Sequence, residues 1–381
     1  MKNIIYTAAA ILWMTCGAYA GTAAEQLGLD AGRGAQAAGL PVPAPDFIKT
    51  TDELNDSFAV PYRVAGKVIR TGGGFSFSAS DGRAFRLLPA NPKIYGQAER
   101  LARTGTAITL DGCARRLDDL SALRADAFLP YAAGIAQTWR DKTQREARLV
   151  QAGSAGELTI KNVRWGKQPD TDAYDWRTGV IDPELVDKVY IVQKPLEPEF
   201  LVSHATMLFT FKAGGMNDSA GNTSRGLLLS VESMLRPDKE ADLVSALNKE
   251  YGIVWLLATE EDYIKFTCLT EDKKLFPYEL QLSAAQKRAL LRNALTQAVV
   301  DRSGEYYHTI TNNCTITLIQ LLNKVLPEAK RIRLFYAPWL YNPEAFSPNG
   351  VFSNLVLDGI AAPHMPELTP ANYRNTALWP G

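Results

Sequence analysis

Cys314 stands in the run Tyr306-Tyr307-His308-Thr309-Ile310-Thr311-Asn312-Asn313-Cys314-Thr315, at the mouth of a segment where Leu318, Leu321, Leu322 and Val325 recur at helical spacing. Either Asn312 or Asn313 can serve as the N-cap of that helix. A thiol at a helix start feels the positive end of the macrodipole and the unpaired amides of the first turn, and both favour the thiolate. Well upstream, His204 lies in Val202-Ser203-His204-Ala205-Thr206-Met207-Leu208-Phe209, an apolar, strand-like run. A cysteine at a helix start and a histidine on a strand supply a nucleophile and a base.

Such chemistry also needs a group to orient the imidazole and donors for a developing oxyanion. The strand-like run Leu227-Leu228-Leu229-Ser230-Val231-Glu232 ends on a carboxylate, so Glu232 and Ser230 are the candidates for the orienting group. The backbone N–H of Cys314 offers one oxyanion donor, and Asn312, Asn313 and Thr315 flank the thiol as site-shaping residues. The plainer reading stands beside this one: a cysteine at a helix start is often a small hydrophobe, and a strand histidine is often a satisfied core or rim residue. His308, six residues before Cys314, is a rival base, and His364 falls in a Pro-rich tail. Three histidines without metal-ligand spacing and no phosphate-binding glycine loop imply neither a metal nor any other cofactor.

The elements that must position these residues fall into two parts behind a leader. Residues 1–20 read as a secretory signal, with Lys2, an apolar core and the small-x-small site Ala18-Tyr19-Ala20, which places cleavage after Ala20 and export to the periplasm. An uncleaved N-terminus acting as an inner-membrane anchor is the alternative. Residues 21–58 are rich in Ala, Gly and Pro, and Pro41-Val42-Pro43-Ala44-Pro45 marks a flexible linker. Lys and Arg together balance Asp and Glu at 41 each, so no global field favours nucleic acid. With Cys16 removed, Cys113, Cys268 and Cys314 remain, an odd number that predicts a free thiol. The economical assignment leaves Cys314 free, with a Cys113–Cys268 bridge left open.

Residues 59–131 read as short strands at 64–70, 75–79, 84–88, 106–110 and 123–129, with a helix at 94–103. Gly72-Gly73-Gly74 and Ser80-Asp81-Gly82 separate the first three strands. Three strands, a helix and two strands is the order of an OB-like β-barrel. Phe75, Phe77 and Phe85 alternate with polar residues, as core residues do. A connecting helix is expected within 132–156. A second domain, 157–334, holds strand-like runs at 158–164, 189–192, 201–211, 226–231 and 263–268, then a helix opened by Ser283. The tail, 335–381, is expected to wrap over it.

This second domain resembles the Lnb N-terminal periplasmic domain family, named from the lipoprotein intramolecular transacylase. The resemblance rests on an ordered set: Ser203-His204-Ala205 before an apolar strand, Leu229-Ser230-Val231-Glu232, Trp255-Leu256-Leu257-Ala258-Thr259-Glu260-Glu261-Asp262-Tyr263-Ile264, and the Asn312-Asn313-Cys314-Thr315 signature. It implies a cysteine–histidine acyl-transfer site with Cys314 as nucleophile and His204 as base, in a permuted papain-like (NlpC/P60-like) fold. It also implies an acylated lipid, a lipoprotein or a cell-envelope peptide as substrate, met near a membrane surface. Two departures are visible: Met234 and Thr267 stand where the family tends to carry arginine. The expectation is thus an exported α+β protein that is a cysteine acyltransferase or acyl hydrolase. The alternatives are a cell-envelope amidase or peptidase, and a non-catalytic envelope binding protein.

Overall fold

The computed structural model describes residues 60–116, 119–131, 142–153, 156–167, 173–197, 202–234, 245–246, 250–309, 312–332 and 348–374. The expected signal (1–20) and linker (21–58) lie outside them. The chain divides into two compact units, Met1–Gly134 and Ile135–Gly381.

In the first unit, β1 (Val60–Thr71), β2 (Gly74–Ala79), β3 (Ala84–Pro89), α1 (Pro92–Thr104), β4 (Ala107–Arg116) and β5 (Asp119–Pro130) follow in order, and the strands close into a barrel β1-β2-β3-β5-β4. Phe75, Phe77 and Phe85 are buried with Tyr62, Leu110 and Leu123, so the aromatic alternation serves the core. Two glycines permit the tight closure: a Cβ on Gly66 would run into the Ser78 carbonyl, and one on Gly112 into that of Arg124. Asn91 caps α1 by accepting from the Ile94 N–H at 3.0 Å, and Gly105, in the left-handed region, ends it.

The second unit is built on a nine-stranded sheet. Its strands are β6 (Arg148–Ala152), β7 (Leu158–Lys167), β8 (Tyr174–Ile181), β9 (Val186–Leu196), β10 (Val202–Phe211), β11 (Met216–Asp218), β12 (Gly226–Ser233), β13 (Ile253–Thr259) and β14 (Phe276–Glu279). They run β11-β8-β7-β13-β12-β10-β9-β14, with β6 beside β7, and only the β13–β7 pair is parallel. The helices are α2 (Glu260–Lys265), continued by a π turn at Phe266–Thr270, then α3 (Ala284–Ala298), α4 (Cys314–Asn323) and α5 (Pro348–Leu357). Tyr190, Val192, Leu208, Leu228 and Ala258 on the sheet pack against Tyr263, Ile264, Cys268, Leu275 and Leu368. Burying side chains of this size contributes about 1.5–3 kcal/mol each.

The α+β character and the barrel agree with the sequence reading. Three local expectations do not hold. Residues 263–268, read as a strand, are helical. Thr259 caps the helix by accepting from the Asp262 N–H at 3.3 Å, and Glu260, Glu261 and Asp262 fill its first turn, where the dipole favours acids. The connecting helix is not formed at 142–147, and 148–152 is instead strand β6; residues 132–141 lie outside the described set. Two strands, β8 and β14, lie in segments to which the sequence reading assigned no strand. In the tail, α5 is followed by bridges from Leu368 to Leu275 and from Ala361 to Leu280, which fasten it to the sheet side of the unit. All three described cysteines are free, so Cys113 and Cys268 are not bridged.

Candidate active site

β10 and β12 pair antiparallel, and their regular register ends at Thr206↔Ser230. Side chains two residues apart on a strand share a face, so His204, Thr206, Ser230 and Glu232 lie on one side of the sheet. On the other flank of β10, His204 is paired with Lys194 of β9, which adds a cation to the same face. His204 Nε2 and Ser230 Oγ are 2.8 Å apart, so Ser230 is the hydrogen-bond partner of the ring. Ser230 is fully buried, which fixes the ring edge it meets.

The cysteine arrives from the helix side. Asn313 is the N-cap of α4, accepting from the Ile316 N–H at 2.9 Å, and it donates to the Thr309 carbonyl at 2.6 Å. Asn312 donates to Glu305 Oε1 at 3.0 Å and to the Tyr306 carbonyl at 2.9 Å. Its backbone exchanges two bonds with His308, closing the loop just before the helix. Glu305 is ion-paired with Arg302 at 2.7 Å, and Arg302 stacks over Trp255 of β13 at 4.2 Å. A buried chain of contacts therefore ties the sheet to the residue two places before the thiol. The two asparagines shape the loop and the cap.

Cys314 is then 4% exposed, at the first position of α4. Burial alone would push its thiol up, but the charge and hydrogen bond of His204 outweigh it. The Ala205 backbone N–H and the Thr315 hydroxyl also bond to Sγ, and together they bring the pKa down from 9.0 to about 6. Ala205 lies one residue past the last regular β10–β12 rung, where its N–H can turn to sulfur. With Nε2 taken by Ser230, Nδ1 is the ring nitrogen left to serve the thiol.

Glu232 is the second charge beside the imidazole. Burial would raise its carboxyl, but His204, a donated hydrogen bond from Gln144, and the cations Lys194 and Arg164 hold it below the usual carboxylate range. Met234 is buried and Thr267 lies in the π turn, and the cations that act on Glu232 are Lys194 and Arg164. Arg164 also forms a buried ion pair with Asp262 of the acidic turn.

Three participants escape sequence reasoning. Tyr307 places its hydroxyl 3.9 Å from Sγ, Ala205 contributes only backbone, and Gln144 comes from 88 residues ahead of Glu232. His308 is buried in the loop closure, and His364 contacts the Phe276 and Tyr278 rings in the tail. Among the described residues, no cluster of three or more His, Cys, Asp or Glu side chains is placed to hold a metal.

A thiol at a helix start, a histidine braced by a serine and a nearby carboxylate define a cysteine–histidine constellation. Residues 172–341, within the second unit, match the family model of the Lnb N-terminal periplasmic domain. No curated protein and no solved structure matches the chain. The family fits an exported, periplasmic protein in a lipoprotein-related envelope context. Among the described residues, no helix is long and apolar enough to cross a membrane.

Proposed function

We propose that the protein is an exported cysteine-dependent acyltransferase or acyl hydrolase acting on acylated lipid or lipoprotein substrates of the cell envelope. The observation that carries this reading is the state of Cys314: a thiol at a helix start, faced by His204 and the Ala205 N–H, with its pKa near 6. In this reading the thiolate attacks the carbonyl carbon of an ester or amide. A C–S bond forms, His204 gives its proton to the leaving oxygen or nitrogen, and that bond breaks to leave a thioester on Cys314. An amine or water, deprotonated by His204, then attacks the thioester and returns the thiolate. The acyl nature of the substrate is supported by the family match. A permuted papain-like arrangement of the second unit, and an OB-like docking role for the barrel, belong to the same reading.

The test is incubation with a diacyl phospholipid or a diacylated lipopeptide, an acid quench, and peptide mass spectrometry. The expected result is a hydroxylamine-labile acyl adduct on Cys314, absent in Cys314→Ala. Release of stem peptide from cell-wall fragments, with no acyl adduct, would transfer the site to the amidase alternative.

A further inference from the structure

Gln144 lies ahead of the segment that matches the family, yet its side chain is 2% exposed and reaches the site. Its Nε2 donates to Glu232 Oε2 at 2.8 Å and to the Ser233 carbonyl at 3.0 Å. One amide group therefore grips a carboxylate and the backbone one residue further along β12. The stretch that carries Gln144 is fastened in turn. Arg164 Nη1 donates to the Thr143 carbonyl at 3.1 Å, Asn162 Nδ2 donates to that of Glu146 at 2.7 Å, and the Arg145 guanidinium lies 5.0 Å from the Trp176 ring centre.

Continuing the β10–β12 register two residues past Thr206↔Ser230 sets His204 opposite Glu232. Ser230 already takes Nε2, so Glu232 serves the ring by its charge and not through that nitrogen. A charge that acts without its own bond to the ring must be held by something else. We propose that Gln144 is a positioning residue of the Cys314–His204 site, locking the Glu232 carboxylate beside His204 so that an imidazolium formed there meets a fixed counter-charge.

The residue type fits this role. A side-chain amide can donate twice from one nitrogen, as here, whereas a packing residue would need volume and no N–H. Without the donor, a partly buried carboxylate loses a charge-assisted bond and takes up a proton more readily. The imidazolium then loses its counter-charge, and the thiolate–imidazolium pair is less populated. The proposal rests on the cysteine–histidine reading above and extends it to a residue outside the matched segment.

The experiment compares the full chain with Gln144→Met and Gln144→Leu by the pH dependence of iodoacetamide alkylation of Cys314, read by mass spectrometry. In Gln144→Met the midpoint is expected to rise, and below the wild-type midpoint alkylation slows by about tenfold. In a Glu232→Gln background the same substitution is expected to shift nothing further. Gln144→Leu also removes the donor and keeps the test valid if Gln144→Met does not fold. A wild-type midpoint in folded Gln144→Met or Gln144→Leu, or an equal shift in the Glu232→Gln background, overturns the role of Gln144. A wild-type Cys314 that is itself unreactive near neutral pH would instead overturn the underlying site, and the two failures are thus distinct.

Discussion

The backbone N–H of Cys314 donates to the phenolic oxygen of Tyr307, and that hydroxyl in turn aims its proton at Sγ, 3.9 Å away. The N–H concerned is one of the unpaired amides at the start of α4, the group that would receive an oxyanion during attack by Cys314. The phenolic hydroxyl therefore lies beside the amide that would receive an oxyanion, where its proton can turn from Sγ to the same oxygen. Burial and the neighbouring thiolate push the phenol well above its ordinary range, so it stays a donor.

Tyr307→Phe separates two roles for that hydroxyl. Thioester formation from an acyl donor builds an oxyanion, whereas alkylation by iodoacetamide does not. Loss of an oxyanion donor typically costs about 10²–10³-fold. The expected outcome is a fall of about 10²-fold in acyl-adduct formation with a much smaller change in alkylation. Equal slowing of both would assign the hydroxyl to the thiolate alone.

The pH dependence of Cys314 follows from its partners. Burial opposes the thiolate, and His204 with the Ala205 N–H and Thr315 overcomes it, so the alkylation rate should rise with pH through a midpoint near 6. Below that midpoint the thiol is protonated and slow. Removing the imidazole in His204→Ala takes away the charge and one hydrogen bond while burial stays, so the midpoint moves up toward or beyond the ordinary thiol value. Stopped-time alkylation followed by mass spectrometry reads both curves, and coincident curves would exclude the pairing.

How far the sequence could disclose this site depended on the distance over which each contact acts. The Cys314 helix was legible because a cap and an apolar stripe are local, and Asn313 is the cap. The face shared by His204, Ser230 and Glu232 was half legible, since period-2 alternation gives the faces and only the β10–β12 register makes them neighbours. Tyr307 was hidden because the His308–Asn312 loop folds it back over a thiol seven residues later. Gln144 fell in a segment read as helix, and a single polar residue carries no signal of a partner 88 residues away. The misread strand at 263–268 is instructive in the other direction. Thr259 before three acids is a helix-start signature, and it outweighed the alternation of Ile264, Phe266 and Cys268.

The Arg302–Glu305 pair should be essential to the loop that presents the thiol. Both side chains are almost fully buried, and Glu305 also receives Asn312. Removing one partner of a buried pair leaves an uncompensated charge and costs about 3–5 kcal/mol. Glu305→Ala is therefore expected to lower the urea midpoint by a corresponding amount and to change the alkylation rate of Cys314. A stability within about 0.5 kcal/mol of the parent, the range of ordinary surface substitutions, would mean that the loop is held by other contacts.

Glu260 gives the unit a pH-dependent stability of its own. Its side chain is 1% exposed at the start of α2, and Arg225 Nη2 reaches Oε1 at 3.1 Å. Burial pushes the carboxyl up from 4.5 to about 7 against the pull of Arg225, with Glu261 adding to the rise. The folded protein thus keeps a proton that the unfolded chain releases near 4.5, and between these values the native state binds more protons. Stability contributed by this group is present below pH 4.5, declines as pH rises through that window, and is level above pH 7, a span of up to ~3 kcal/mol. Glu260→Gln cannot ionise and should escape the decline. Calorimetry at pH 5 and pH 8 reads the difference between variant and parent, in which the other titrating groups cancel. The variant is expected to gain on the parent at pH 8 relative to pH 5, and a gap independent of pH would show that Arg225 keeps Glu260 ionised throughout.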